Sequence, residues 1–170
     1  YMRQEEKFAR DVYLALDGLW GQRIFANIAT AEQQHMDLML WLINRYGIVD
    51  PVPGEVEGVF EEPAFGILYQ FCLSYGSQSI ENAMFLGAGI EDLDLFDLQI
   101  DLAQSDNSDI DTVYQNLGKG SRNHLRSFSA QLDALGVPYS AIFLSQSEVD
   151  AITSSPREIR VVYDENGNPL

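Results

Sequence analysis

The stretch RIFANIATAEQQHMDLMLWLINRY, residues 23–46, advances its apolar stripe by threes and fours through Ile24, Ile28, Ala31, Leu38 and Leu42. That period predicts one long amphipathic helix, and Gly47 stands where a helix C-cap belongs. Inside the stripe sit Glu32 and His35, three residues apart and therefore on one face. A carboxylate and an imidazole at core positions decide how the rest of the chain is read.

Working outward, residues 2 to about 17 repeat apolar or small side chains at helical spacing and end near Gly18 and Gly21. Prolines and glycines between Gly47 and Pro63 break regular structure and supply a long connection. Ala64–Tyr75 reads as a short helix, followed by a Gly76–Ser79 turn with a serine cap. Two further long helices are expected over about 79–104 and 109–135, separated by the turn Ser105–Ser108. Gly118 and Gly120 weaken the last of these by roughly 1 kcal/mol each relative to alanine. Gly136 and Pro138 end it. Beyond lie a short helix near Ser147–Thr153, a short strand over Ile159–Tyr163 and a turn at Asp164–Gly167. The expected fold class is all-α: a four-helix bundle over residues 1–138, with the long connection crossing between the second and third long helices. A C-terminal extension over 139–170 packs on it or is partly irregular.

Each long helix carries a polar residue in its core stripe. Glu6 falls in the series Met2, Ala9, Tyr13, Leu16, and Glu91 falls among Met84, Gly87, Ala88, Leu95 and Leu98, with Asp94 one turn on. His124 shares a face with Leu117 and Phe128. Unpaired in a low-dielectric core, such groups cost several kcal/mol per charge, more than a domain has to spare. The nearby cations Lys7, Arg10, Arg122 and Arg126 fall off these stripes. Metal ions are the economical compensation, because Glu and His together suit first-row divalent metals.

The motifs resemble those of a known superfamily. The run Glu6-Lys7-Phe8-Ala9-Arg10-Asp11-Val12-Tyr13 is similar to the first-helix pattern of rubrerythrins, and Ala31-Glu32-Gln33-Gln34-His35 resembles their second-helix motif. More closely, Gly89-Ile90-Glu91-Asp92-Leu93-Asp94 and Gly120-Ser121-Arg122-Asn123-His124-Leu125-Arg126 resemble a ferritin-like family of prokaryotic proteins catalogued as a domain of unknown function. The resemblance covers about residues 1–136. It implies a ferritin-like bundle holding two iron ions, with metal ligands Glu6, Glu32, His35, Glu91 and His124, to which this sequence adds Asp94. Glu32 and either Glu91 or Glu6 would bridge the metals.

In the superfamily pattern the fourth helix supplies Glu-x-x-His, but here Ser121 stands three residues before His124. Asp94 restores the charge: with Glu6, Glu32 and Glu91 it offers four negative charges to two divalent ions. Tyr13, one turn from Ala9, is a candidate to hydrogen-bond a ligand or serve a radical step, beside its plainer reading as an amphipathic core tyrosine.

The functional expectation is a redox metalloprotein that oxidises ferrous iron or reduces dioxygen or peroxide, as a ferroxidase or peroxidase-type oxidoreductase does. Cys72 is the single cysteine, so no thiolate cluster serves as internal electron donor and an external reductant is needed. Two other classes compete: a non-catalytic zinc, manganese or calcium binding or storage protein, and a plain helical interaction module. The net charge of −16, from 26 acidic against 10 basic residues, argues against a nucleic-acid partner. No apolar run approaches the roughly 20 residues of a membrane span. A soluble protein is expected, and the resemblance allows a homodimer. A chain starting at Tyr1 reads as processed or as part of a longer one, leaving cytoplasmic and exported locations equally open.

Overall fold

The computed structural model describes residues 1–52 and 54–160. Six helices follow in order: α1 Met2–Trp20, α2 Arg23–Arg45, α3 Pro63–Gly76, α4 Ile80–Gln104, α5 Ser108–Ala134 and α6 Gln146–Ser154. The fold class is all-α, with no strand among the described residues, and the helix packing is compatible with a helical bundle. The chain forms two compact units, Tyr1–Leu86 and Gly87–Leu170, the division falling within α4. No helix among the described residues is long and apolar enough to cross a membrane.

In the first unit α1 packs against α2 and α3. Gly21 adopts φ 61°, and its N–H closes α1 on the Asp17 carbonyl at 2.7 Å. Only glycine takes that left-handed turn without strain, so the chain reverses within two residues into α2. The buried face of α2 runs through Phe25, Ile28, Ala29, Glu32, His35, Met36, Met39, Leu42 and Ile43. It is rotated from the stripe expected from sequence: Ile24, Ala31 and Leu38 are only half-buried. The larger side chains Phe25, Met36 and Met39 take the core, and Glu32 moves towards its centre.

Helix α1 is buried on nearly every side, including Arg3, Lys7, Arg10 and Asp11. The stripe containing Glu6 is as expected, but the cations beside it are not solvated. Arg3 pairs with Asp50 at 2.8 Å and Glu55 at 2.9 Å, and donates to the Met36 carbonyl at 2.7 Å. Lys7 bonds to Asp11 and to the Val56 carbonyl. Arg10 forks onto Asp11 and reaches Glu55. These bonds fasten the long connection after α2 onto α1. Phe8, Phe60, Phe65 and Tyr69 cluster beside it, with ring centroids 5.7–6.3 Å apart, which docks α3 through a pattern that burial of aromatic area favours. Pro63 at the first turn and the Glu62 carboxylate on the Ala64 N–H start α3.

In the second unit α4 lies close to α5. A Cβ added at Gly87 would stand 2.5 Å from the Phe128 ring, so only glycine permits that approach. The Ser79 hydroxyl accepts from the Asn82 N–H at the start of α4, as the serine-cap reading expects. Gly136, at φ 76°, ends the α5 turn. The segment after it is pinned by one fully buried carboxylate: Asp92 accepts the Tyr139 hydroxyl and the N–H groups of Ile142, Phe143 and Leu144, at 2.7–3.1 Å. Ser145 and Glu148 then form a capping box for α6, which packs on α5. Arg122 and Arg126 both bond to Glu158. Of the strand expected over Ile159–Tyr163, Ile159 and Arg160 are irregular; its remainder and the Asp164–Gly167 turn lie outside the described residues.

Candidate metal centre

In the first unit the α1–α2 hairpin brings together the residues that the helical period places in its core. Glu6, from the second turn of α1, directs Oε2 to within 3.2 Å of His35 Nδ1. Glu32, one turn before His35 on α2, places its own Oε2 2.7 Å from the same nitrogen. All three residues are at most 7% exposed, and one ligand atom from each lies within 4.8 Å of the others. A single ring nitrogen has one proton or one lone pair and cannot satisfy two carboxylates at once. The Glu6 Oε1 atom is also buried with no hydrogen-bond partner among the described residues.

The electrostatics express the same crowding. Burial pushes the Glu6 carboxyl up to about 8, against the pull of His35. Burial also disfavours a charged His35 ring, but the Glu6 and Glu32 carboxylates outweigh it and hold the imidazole well above its usual value. The triad therefore retains protons that free side chains would release. Ligand atoms about 2.0–2.2 Å from a first-row ion lie about 3 Å apart around it, the spacing seen here. The donor set and the orphaned Glu6 oxygen fit a metal ion.

The second unit carries a parallel arrangement. Glu91 on α4 places Oε2 3.3 Å from His124 Nδ1 on α5, and both are buried. Asp94 lies one turn after Glu91 on α4. Its carboxylate takes the Ser121 hydroxyl, which also lies 3.0 Å from the Leu117 carbonyl. Asp94 and Ser121 are 6% and 1% exposed, so a buried carboxylate of α4 meets the hydroxyl three positions before His124. The structure thus contains two buried carboxylate–histidine groups able to hold metal ions.

The family model described as an uncharacterized protein domain, DUF2202, matches residues 1–156. The chain belongs to that family. It is 46% identical over 157 residues to the uncharacterized protein MJ0754 of Methanocaldococcus jannaschii, spanning 92% of this chain and 85% of the relative. The crystal structure of the hypothetical protein MJ0754 from Methanococcus jannaschii matches with a TM-score of 0.91, covering 92% of this chain and 90% of that one.

Tyr13 of this DUF2202 chain is fully buried with its ring stacked on Phe25 at 6.4 Å, in keeping with its reading as a core tyrosine. One feature escaped the sequence reading. The buried network of Arg3, Lys7, Arg10 and Asp11 was legible only as charges off the apolar stripe. Its spacing of 3, 7, 10 and 11 is nevertheless a second helical stripe, a signal that a purely apolar reading of helix faces passes over.

Proposed function

We propose that this protein is a redox metalloprotein with a carboxylate- and histidine-bound dinuclear centre, built on a ferritin-like bundle over residues 1–138. Its ligands are Glu6, Glu32, His35, Glu91, Asp94 and His124, and its metal is iron. The observation that carries the reading is the buried Glu6–Glu32–His35 triad, whose donor atoms crowd one point. The Glu91–His124 pair repeats its chemistry on α4 and α5. The resemblance of the helix motifs to rubrerythrin-like proteins adds the expectation of two irons.

The protein's own contribution is to hold anionic oxygens and neutral imidazole nitrogens where water is excluded. His35 and His124 each present Nδ1 to a carboxylate, so deprotonation on loading leaves those nitrogens aimed. The Ser121 hydroxyl orients Asp94. Bound iron would supply one-electron chemistry towards dioxygen or peroxide. Reducing equivalents come from outside, since Cys72 is buried and its thiol is pushed up to about 12 by burial.

Metal analysis of protein purified without added metal tests binding, with two equivalents of a first-row metal expected. Oxygen consumption on addition of ferrous iron then tests the redox role. Stoichiometric zinc or manganese with no oxygen uptake would replace the redox reading by non-catalytic binding, and a metal-free protein that takes up none would overturn both.

A further inference from the structure

Within the second unit lies a cavity of about 470 Å³ that the metal chemistry does not use. Its size falls in the range of small-molecule sites. One wall is apolar, from Leu95, Leu98 and Leu102 on α4. The opposite lining is mostly basic, with Lys119 and Arg122 on α5, Arg157 and Arg160 beyond α6, and one carboxylate, Glu158. These cations are four of the ten basic residues in a chain of net charge −16. The cations therefore gather at this cavity although the chain as a whole is strongly acidic.

Their pairing differs. Arg122 is taken up by Glu158, two bonds of 2.7 Å forming a fork. Lys119 bonds to two neutral acceptors, the Asn116 side-chain oxygen at 2.9 Å and the Arg160 carbonyl at 3.0 Å, leaving one of its three donors. Burial shifts Lys119 downward, a sign that its charge is partly desolvated. Arg157 and Arg160 are exposed and make no side-chain ion pair among the described residues. Three cations with no carboxylate bonded to them among the described residues, beside an apolar wall, are complementary to one kind of small molecule.

We propose that this cavity binds a small amphipathic anion, a carboxylate or phosphate monoester on a short apolar body. The head meets Lys119, Arg157 and Arg160, and the body lies against Leu95, Leu98 and Leu102. Leu95 and Arg122 directly follow Asp94 and Ser121 in sequence, so the ligand occupies the flank of that pair without needing metal to be bound.

Calorimetric titration of the full chain with hexanoate, hexyl phosphate, hexanol and inorganic phosphate tests this. One hexanoate or hexyl phosphate should bind per chain, more tightly than hexanol or inorganic phosphate. The tighter of the two identifies the head group. The double variant R157Q/R160Q, at two exposed positions, should weaken that binding roughly tenfold or more while its melting temperature stays that of the parent. The proposal is overturned if neither amphiphile binds or if the double variant binds them as well as the parent. Hexanol binding as tightly as hexanoate would remove the cations from the account, and inorganic phosphate binding as tightly as hexyl phosphate would remove the apolar wall.

Discussion

The Ser121 hydroxyl on α5 is hydrogen-bonded to the carboxylate of Asp94 on α4, 27 residues earlier. A helix that lacks a carboxylate at the turn before its histidine thus has one delivered from its neighbour. Under the proposed function D94N keeps the size and removes the charge, and metal content should fall from two equivalents towards one. Adding S121E in that background should partly restore the second. D106N, at an exposed position in the turn before α5, should leave content unchanged. Metal analysis of the three variants checks this, and an unchanged content in D94N would remove Asp94 from the ligand set.

Asp92, next to Glu91, looks from sequence like a neutral control, since it lies about 100° around the helix. The structure makes it a stability residue instead. D92N leaves an amide facing four donors that a buried carboxylate had satisfied, which should cost about 3 kcal/mol. Denaturant unfolding should show a lower midpoint, and freeing the 139–144 segment should increase its hydrogen exchange ahead of the rest of the unit.

Chelation should lower the melting temperature, because ligation contributes folding free energy, and the loss should depend on pH. Burial raises the Glu6 carboxyl from its ordinary 4.5 to about 8 in the folded state, so the folded state binds the extra proton between those limits. Its stabilising effect is complete below 4.5 and disappears as pH rises through 8. His35, also raised, works in the same direction. Metal-free protein should therefore weaken from pH 5 to 8, while the metal-loaded form is spared because the ion replaces the protons. The gap between their melting temperatures should widen with pH. Identical melting at pH 8 would argue against a core metal site.

Gly87 faces the Phe128 ring at a distance no Cβ tolerates. G87A should destabilise by about 1–3 kcal/mol through overpacking. Trimming the ring in G87A/F128L should recover part of that loss, so that the double variant is less destabilised than the sum of the singles. Strict additivity in a thermal-melt cycle would mean that the two side chains do not meet.

Helix positions were legible in the sequence because apolar period, glycine stops and serine caps agreed. The long helices expected over about 79–104 and 109–135 appear as Ile80–Gln104 and Ser108–Ala134. Glu6 and Glu91 were recognisable because each interrupts an apolar series. Less legible was which of two adjacent faces α2 buries, since Ile24, Ala31 and Leu38 compete with the bulkier Phe25, Met36 and Met39 and side-chain volume decides. The role of Asp92 was hidden altogether, because its partners are backbone N–H groups about 50 residues away, and amides carry no sequence signature.

The two carboxylate–histidine groups have a consequence for the order of assembly during synthesis. Glu6 and His35 are 29 residues apart, and Glu91 and His124 are 33 apart. Closing either loop costs nearly the same chain entropy, a difference of about 0.1 kcal/mol by the logarithmic rule. All three members of the first group precede Glu91 and His124 in sequence, so that group has its full complement of side chains before the second group begins to be made. Under the proposed function, the nascent chain can capture its first ion before Glu91 has been made.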